Sequence, residues 1–381
     1  MKIYHLASFS GNIGDVANHE AFYVQIQNKL QKKILVTEDE MRDYYKNVQI
    51  KKFDKEFVEK VNNHDLLVIG GGNFFELCWD YSDNGTTFNI TNQLLKQIKT
   101  PILVNGIGID DNKGISSDNI EKFRKFLHTL FTYNTVFFTV RNDGSYDIFQ
   151  KYFPEYVDYV YEIPDFGFFV SEVQELKEYC YNGQTKSIGF NIALDMPHIR
   201  YSHLDYKKYL SAIAKEIDRL LAETTYHIYL IAHIQSDYRA ILELLDIVTS
   251  KQARTRISIS PLVQGKELES FKYYKECDMV FAMRFHANVC SISLGVPTFG
   301  MISYPKHGIM YDKIGIPYRK CNLEESDFIN RLEHEVQRVI ESPDYLIELK
   351  KDYDKARSRV NAIKDSVLDR LIDWMEEKGL N

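Results

Sequence analysis

Short apolar runs alternate with longer amphipathic stretches through the first half of the chain, a pattern that predicts a parallel sheet covered by helices. Strands are expected at residues 2–8, 34–36, 66–69, 102–105, 135–140 and 159–162. Several of them stop at glycine or at a polar cluster, as strands feeding functional loops do. Helical spacing falls at residues 16–29, 88–99 and 120–131, with a shorter stretch at 145–152. A second alternation begins near Lys186, with strands at 187–192, 227–232, 257–259, 279–282 and 298–302 and helices at 205–223, 237–249, 266–276 and 287–294. Between the halves, Pro164-Asp165-Phe166-Gly167 and the polar stretch 171–185 interrupt the periodicity. The tail from Glu325 reads as helix broken at Ser342-Pro343. The pattern predicts two doubly wound α/β domains, residues 1–170 and 186–324. A helical segment, 325–381, is expected to pack back on the first domain. Doubly wound sheets carry their ligand loops at the carboxyl ends of the strands, so the two domains are expected to face a shared cleft that holds the chemistry.

Composition narrows the function. Of 381 residues, 44% are hydrophobic and 27% charged, proportions of a soluble globular protein. The net charge of −7 argues against a broad phosphate-gripping surface for nucleic acid, so any anionic ligand must be met by local positive charge. Five cysteines, odd in number and without a C-x-x-C pair, indicate neither a disulfide framework nor a zinc knuckle. A reducing cytoplasm is the simplest setting. The N-terminus runs straight into a strand pattern rather than a signal peptide, and no apolar run approaches the roughly 18–20 residues that span a bilayer. A lipid-linked substrate would be met from the water side, at the inner face of the membrane.

Five segments carry candidate chemistry. In Met279-Val280-Phe281-Ala282-Met283-Arg284-Phe285-His286-Ala287-Asn288, a strand turns tightly into a helix that Gly295 should end. Arg284 and His286 then sit at a strand end and a first helical turn, where free backbone N–H groups favour an anion. A routine ion pair for Arg284 and a packing role for His286 are the competing readings, but no partner for a buried cation is adjacent in sequence. In Leu66-Leu67-Val68-Ile69-Gly70-Gly71-Gly72-Asn73, three glycines after a buried strand permit close backbone approach or an anion-binding nest. They match neither G-x-G-x-x-G nor a P-loop. Asn105-Gly106-Ile107-Gly108 repeats the pattern after the next strand.

In Ser10-Gly11-Asn12-Ile13-Gly14-Asp15, Asp15 reads either as a helix N-cap or as a carboxylate acting as base. Thr139-Val140-Arg141-Asn142-Asp143-Gly144-Ser145 ends a strand in a second arginine, with a surface ion pair as its alternative reading. Ser303-Tyr304-Pro305-Lys306-His307 places Lys306 just past the last strand, either as a ligand contact or as a solvated loop charge.

Taken in order, Gly11-Asn12-Ile13-Gly14-Asp15, Gly70-Gly71-Gly72, Gly106-Ile107-Gly108, Val140-Arg141 with Ser145, Pro164-Asp165, Arg284-Phe285-His286-Ala287, Gly295-Val296-Pro297 and Tyr304-Pro305-Lys306 resemble the polysaccharide pyruvyl transferase family. The resemblance covers roughly residues 1 to 316. The family's usual Arg-Asp pair is here Arg141-Asn142. The resemblance implies a GT-B-like fold and transfer of pyruvate from phosphoenolpyruvate onto two hydroxyls of a sugar as a cyclic ketal. Phosphoenolpyruvate serves as donor substrate, with no metal and no further cofactor, and the acceptor is a sugar, oligosaccharide or lipid-linked glycan. On that basis His286, Arg284 and Asp15 are the catalytic candidates. Arg141, Lys306, Asn12, Gly14, Gly71, Gly72, Asn73, Gly106 and Ser145 are the substrate-binding candidates. A nucleotide-sugar glycosyltransferase and a non-catalytic carbohydrate-binding protein on the same fold are the alternatives.

Overall fold

The computed structural model describes residues 1–381 except Asn182, Gln184, Pro343 and Asn381. Pro343 of the expected Ser342-Pro343 break, and Asn182 and Gln184 of the polar stretch 171–185, therefore lie outside the described residues. The chain forms two compact units. The first comprises Met1–Ser10, Phe22–Phe166 and Asn361–Asn381, and the second comprises Gly11–Ala21 and Gly167–Val360.

The first unit is built on six parallel strands: β1 (Lys2–Ala7), β2 (Leu35–Glu40), β3 (Leu66–Gly70), β4 (Ile102–Ile107), β5 (Val136–Arg141) and β6 (Val160–Ile163), in the order β2-β1-β3-β4-β5-β6. Every residue of β3 and β4 is buried, which is why both read as unbroken apolar runs rather than alternating ones. Strand β2 is the exception. It pairs with β1 from Lys2↔Leu35 through Ala7↔Glu40, past the expected 34–36, because the edge strand continues through Thr-Glu-Asp-Glu, which carries no apolar signal even though Asp39 is buried against Tyr4. The C-terminal part of helix α1 (Ile13–Leu30), α2 (Lys55–Asn62), α3 (Ser117–Tyr133) and α4 (Ser145–Tyr152) pack around the sheet. The helix expected at 88–99 shrinks to one turn, Asn92–Leu95. The Asn62 side chain captures the backbone N–H groups of Lys99 and Thr100 at 2.8 and 3.3 Å, and Phe88 and Ile90 are buried ahead of the turn.

The second unit has six parallel strands of its own: β7 (Ser187–Asn191), β8 (His227–Leu230), β9 (Ile257–Ile259), β10 (Met279–Ala282), β11 (Thr298–Ile302) and β12 (Lys320–Asn322), in the order β9-β8-β7-β10-β11-β12. Strand β12, with only one apolar residue, has no sequence signature. Helices α5 (Tyr206–Glu223), α6 (Gln235–Leu245), α7 (Glu269–Lys275), α8 (Phe285–Ser293), α9 (Pro305–Lys313) and α10 (Phe328–Glu341) accompany the sheet. Helix α11 (Tyr345–Glu377) belongs to the second unit up to Val360 and to the first from Asn361, where Lys29 pairs with Asp369 at 2.6 Å. Strand order reverses direction between β7 and β10 in this unit and between β1 and β3 in the first. Such switch points are where doubly wound sheets bind ligands, outside the carboxyl ends of the strands.

Candidate active site

The β7/β10 switch point is tied together by one side chain. Asn191, the last residue of β7, accepts the Arg284 N–H at 2.9 Å and donates Nδ2 to the Ile231 carbonyl at 2.8 Å, joining the ends of β7, β8 and β10. Asn288 Nδ2 holds the Ala282 and Arg284 carbonyls from the first turns of α8. At the other end of α8, Gly295 adopts φ +78° and the Val296 N–H reaches the Ser291 carbonyl at 2.9 Å, the glycine-dependent ending that the sequence predicts. Arg284 occupies the N-cap position of α8 without a capping side-chain hydrogen bond.

Arg284 is paired, contrary to the expectation from its sequence neighbours. Its Nε and Nη2 bind both oxygens of Asp237 at 2.7 and 2.6 Å, and Nη2 also reaches Asp195 Oδ1 at 2.7 Å. Arg200 grips the same Asp195 through Nε and Nη2 and donates Nη1 to Ser303 Oγ at 2.9 Å. Nη1 is the edge of the Arg284 guanidinium left with hydrogens to offer. Burial would raise the Asp195 pKa, but Arg284 and Arg200 outweigh it and hold the carboxyl below its ordinary value. Asp237 also accepts the His233 N–H at 2.9 Å. His233 is fully buried, and burial, with Arg284 and His286 adding to it, drives its pKa far down, so the ring is neutral. Its Nε2 meets Tyr274 Oη at 2.7 Å, and its carbonyl accepts the Ile13 N–H that starts α1.

Through that contact the start of α1 brings two further candidates to the site. Asn12 is the residue that caps α1, its Oδ1 accepting the Gly14 N–H at 3.0 Å. Asp15 lies in the first turn rather than at the cap, and its Oδ1 is 3.8 Å from His286 Nδ1. A Cβ on Gly14 would lie 2.5 Å from His286 Cγ and Nδ1, so the imidazole rests directly on the glycine. Lys306 is buried in the first turn of α9, not a loop charge, and the adjoining His307 packs against Phe285 with ring centroids 5.6 Å apart. The structure thus groups Asn12, Gly14, Asp15, Arg284 and His286 in one unit, with the α9 N-terminus alongside.

In the first unit, Arg141 ends β5 with its guanidinium on Asp143, Nε at 2.8 Å and Nη2 at 2.7 Å, and Nη1 is 3.5 Å from Asp165. The carboxylate missing at Asn142 is therefore supplied one residue later. Ser145 is fully buried, giving its hydroxyl to Asp143 at 2.6 Å and accepting the Ile109 N–H at 2.9 Å. The Gly71 N–H goes to the Asn105 carbonyl at 2.8 Å, the Gly72 carbonyl accepts from Gly108, and the Gly106 N–H goes to Thr139 Oγ1. At Gly70, φ is +127° and a Cβ would stand 2.6 Å from the Asn105 carbonyl oxygen, so the glycines let two strand-end loops interlock. Asn73 Nδ2 bridges Glu76 and Asp110 at 3.2 and 3.0 Å.

Sequence reasoning missed Asp195, Asp237, Asp143, His233 and Asn191. All five follow or end a strand at its carboxyl side, so position relative to the strand was the available signal. Among the described residues, one group has metal-ligand spacing, Cys321, Glu325 and Asp327. Burial pushes the Cys321 thiol up to about 12, and Glu325 already holds Asn322 and Arg331, so the set does not suit a metal ion. Among the described residues, no helix is long and apolar enough to cross a membrane.

Among solved structures, the UDP-GlcNAc 2-epimerase of Neisseria meningitidis bound to UDP-GlcNAc is similar at 13% identity and TM-score 0.54, over 97% of this chain and 100% of that one. A putative UDP-N-acetylglucosamine 2-epimerase from Listeria monocytogenes gives 10% and 0.56, over 97% and 96%. A glycosyltransferase from Rickettsia africae gives 11% and 0.52, over 98% of both chains. At such identities the likeness is one of fold: two Rossmann-like α/β domains of the GT-B type. No curated protein matches the chain. The model of the polysaccharide pyruvyl transferase family matches residues 12–306, a span that starts at the α1 cap and ends at Lys306, and the chain belongs to that family.

Proposed function

We propose that this protein transfers pyruvate from phosphoenolpyruvate onto two hydroxyls of a sugar in a polysaccharide or its precursor, forming a cyclic ketal and releasing phosphate. The observation that carries the reading is the Asp15–His286 pair, 3.8 Å apart, at the N-terminus of α8. A donor with a carboxylate and a phosphate needs fixed positive potential. The α8 N–H groups, the Nη1 edge of Arg284 and Lys306 supply it without further charge carriers.

In this reading His286 protonates the methylene carbon of phosphoenolpyruvate, leaving a cation-like centre at C2. A sugar hydroxyl attacks C2 and loses its proton to Asp15. The second hydroxyl then attacks the same carbon as the C2–O bond to phosphate breaks. Its proton restores His286, and the departing phosphate takes the proton held by Asp15. Arg284, clamped by Asp195 and Asp237, fixes the turn from which His286 projects. The five free cysteines suit the reducing cytoplasm in which we place the reaction, with a lipid-linked acceptor met from the water side.

Phosphate release from phosphoenolpyruvate should require an acceptor sugar and collapse in His286→Ala and Asp15→Ala. Near-wild-type turnover in both variants would overturn the assignment. The strand order of the second unit is also that of dinucleotide-binding sheets, which favours a nucleotide-sugar donor as the second reading. Thermal stabilisation by UDP-sugars but not by phosphoenolpyruvate would decide for it.

A further inference from the structure

A concavity of about 350 Å³ opens in the first unit at the amino-terminal ends of β5 and β6, lined by aromatic rings and by the last turns of α11. Its size falls within the range of about 300–1,000 Å³ common to small-ligand sites. The aromatic wall is ordered. Phe137 and Tyr161 stack with centroids 5.1 Å apart at 18°, and Trp374 leans on Phe137 at 5.7 Å. Beside them Tyr159, more than half exposed, stacks on Phe131.

Among the described residues, the charged lining makes no hydrogen bond or ion pair: Arg370 lies 5.5 Å from the centroid of the Tyr161 ring, and the carboxylates of Asp158, Asp373 and Glu377 have no polar partner. Arg370, Asp373 and Trp374 share one face of α11 by their i, i+3 and i+4 spacing. Elsewhere the same helix pairs its charges, as Asp369 does with Lys29. An aromatic face flanked by carboxylate acceptors and a guanidinium donor matches a pyranose ring, which offers an apolar C–H face and a rim of vicinal hydroxyls. A purely apolar partner would leave these charges buried and unpaired.

We propose that this concavity is a second, non-catalytic glycan-binding site that holds a sugar unit of the polymer. The inference rests on the glycan substrate class in the reading above. The site is separate from the candidate residues of its own unit, since Arg141 ends the strand on which Phe137 lies near the start, about 13 Å along it. A polymer substrate gives such a site its use. Anchoring one unit raises the local concentration of its neighbours.

The chain has two tryptophans, Trp79 and Trp374, so Trp79→Phe leaves Trp374 as the only indole reporter. That protein is titrated with cellotetraose, chitotetraose and mannotetraose at millimolar concentrations, following Trp374 emission. A saturable change with at least one tetrasaccharide is expected. It should weaken by about tenfold in Asp373→Asn or Arg370→Gln, as loss of one charge-assisted hydrogen bond requires. Both side chains are exposed, so neither substitution threatens folding. No response to any of the three, or the same response in both variants, would overturn the proposal. So would self-association that Trp374→Ala abolishes and the tetrasaccharides leave untouched. The response should persist in His286→Ala, so failure of pyruvyl transfer and failure of this site are read separately.

Discussion

Replacing Gly14 with alanine tests the site at the point where its two arms meet. Gly14 has no positive φ, so the glycine is needed for room rather than for backbone freedom. Its Cβ would stand 2.5 Å from His286 Cγ and Nδ1, where ordinary contact begins at 3.4 Å. Either the imidazole or the start of α1, which carries Asp15, must therefore withdraw by about 1 Å. Misplacing a reacting group by that distance costs about 100-fold in rate. Overpacking should cost only about 1–3 kcal/mol of stability, a few degrees in thermal midpoint. The assay is acceptor-dependent phosphate release from phosphoenolpyruvate, with circular dichroism to confirm the fold. The double variant Gly14→Ala/His286→Ala sharpens it. If the alanine acts through His286, the double variant should be no slower than His286→Ala alone. Wild-type turnover in Gly14→Ala, or multiplied losses in the double variant, would refute the reasoning.

Asp237→Ala leaves the Arg284 guanidinium partly unpaired in a buried site and should destabilise the second unit by about 3–5 kcal/mol in urea unfolding. Asp195 has a folded-state pKa below its unfolded value near 3.8, so its contribution is present above that value and lost as pH falls through the folded one. Asp195→Asn should accordingly flatten the acid limb of a stability–pH profile below pH 4. Buried His233 titrates far below its unfolded value of 6.5, so the unfolded chain binds the extra proton and stability falls as pH drops below 6.5, by up to about 1.4 kcal/mol per unit. His233→Gln should remove that dependence, read as a thermal midpoint that changes less between pH 7.5 and 5.5 than in the wild type.

The parts of this fold written locally were legible, and the parts written by tertiary pairing were not. Strands β3, β4, β7 and β10 are buried on both faces, so each appears as an apolar run ending at the residue that matters. Edge strands β2 and β12 bury little and left no such trace. The arginines at strand ends were visible for the same reason, but their carboxylates were not. Asp237 and Asp195 lie 47 and 89 residues from Arg284, on elements that only the strand order brings together. Asp143 is only two residues from Arg141, but its place in the turn after β5 gives no periodic signal that it folds back onto the guanidinium.

Those pairings change where the positive potential comes from. Arg284 and Arg200 face Asp195 and Asp237, two cations against two carboxylates, so the cluster that looked like a bare cation in sequence is neutral as a whole. In the proposed reaction, attraction for the donor anion then comes from the remaining Nη1 edge of Arg284 together with what the cluster positions: the N-terminus of α8, His286 beside Asp15, and Lys306 at the head of α9. Such a site suits a chain with a net charge of −7, because it acts over one helix turn and needs no basic surface. It also explains why a glycine, rather than another charge, sits at its centre. With the charges fixed by internal pairs, the remaining variable is how closely α1 approaches α8, and Gly14 sets that distance.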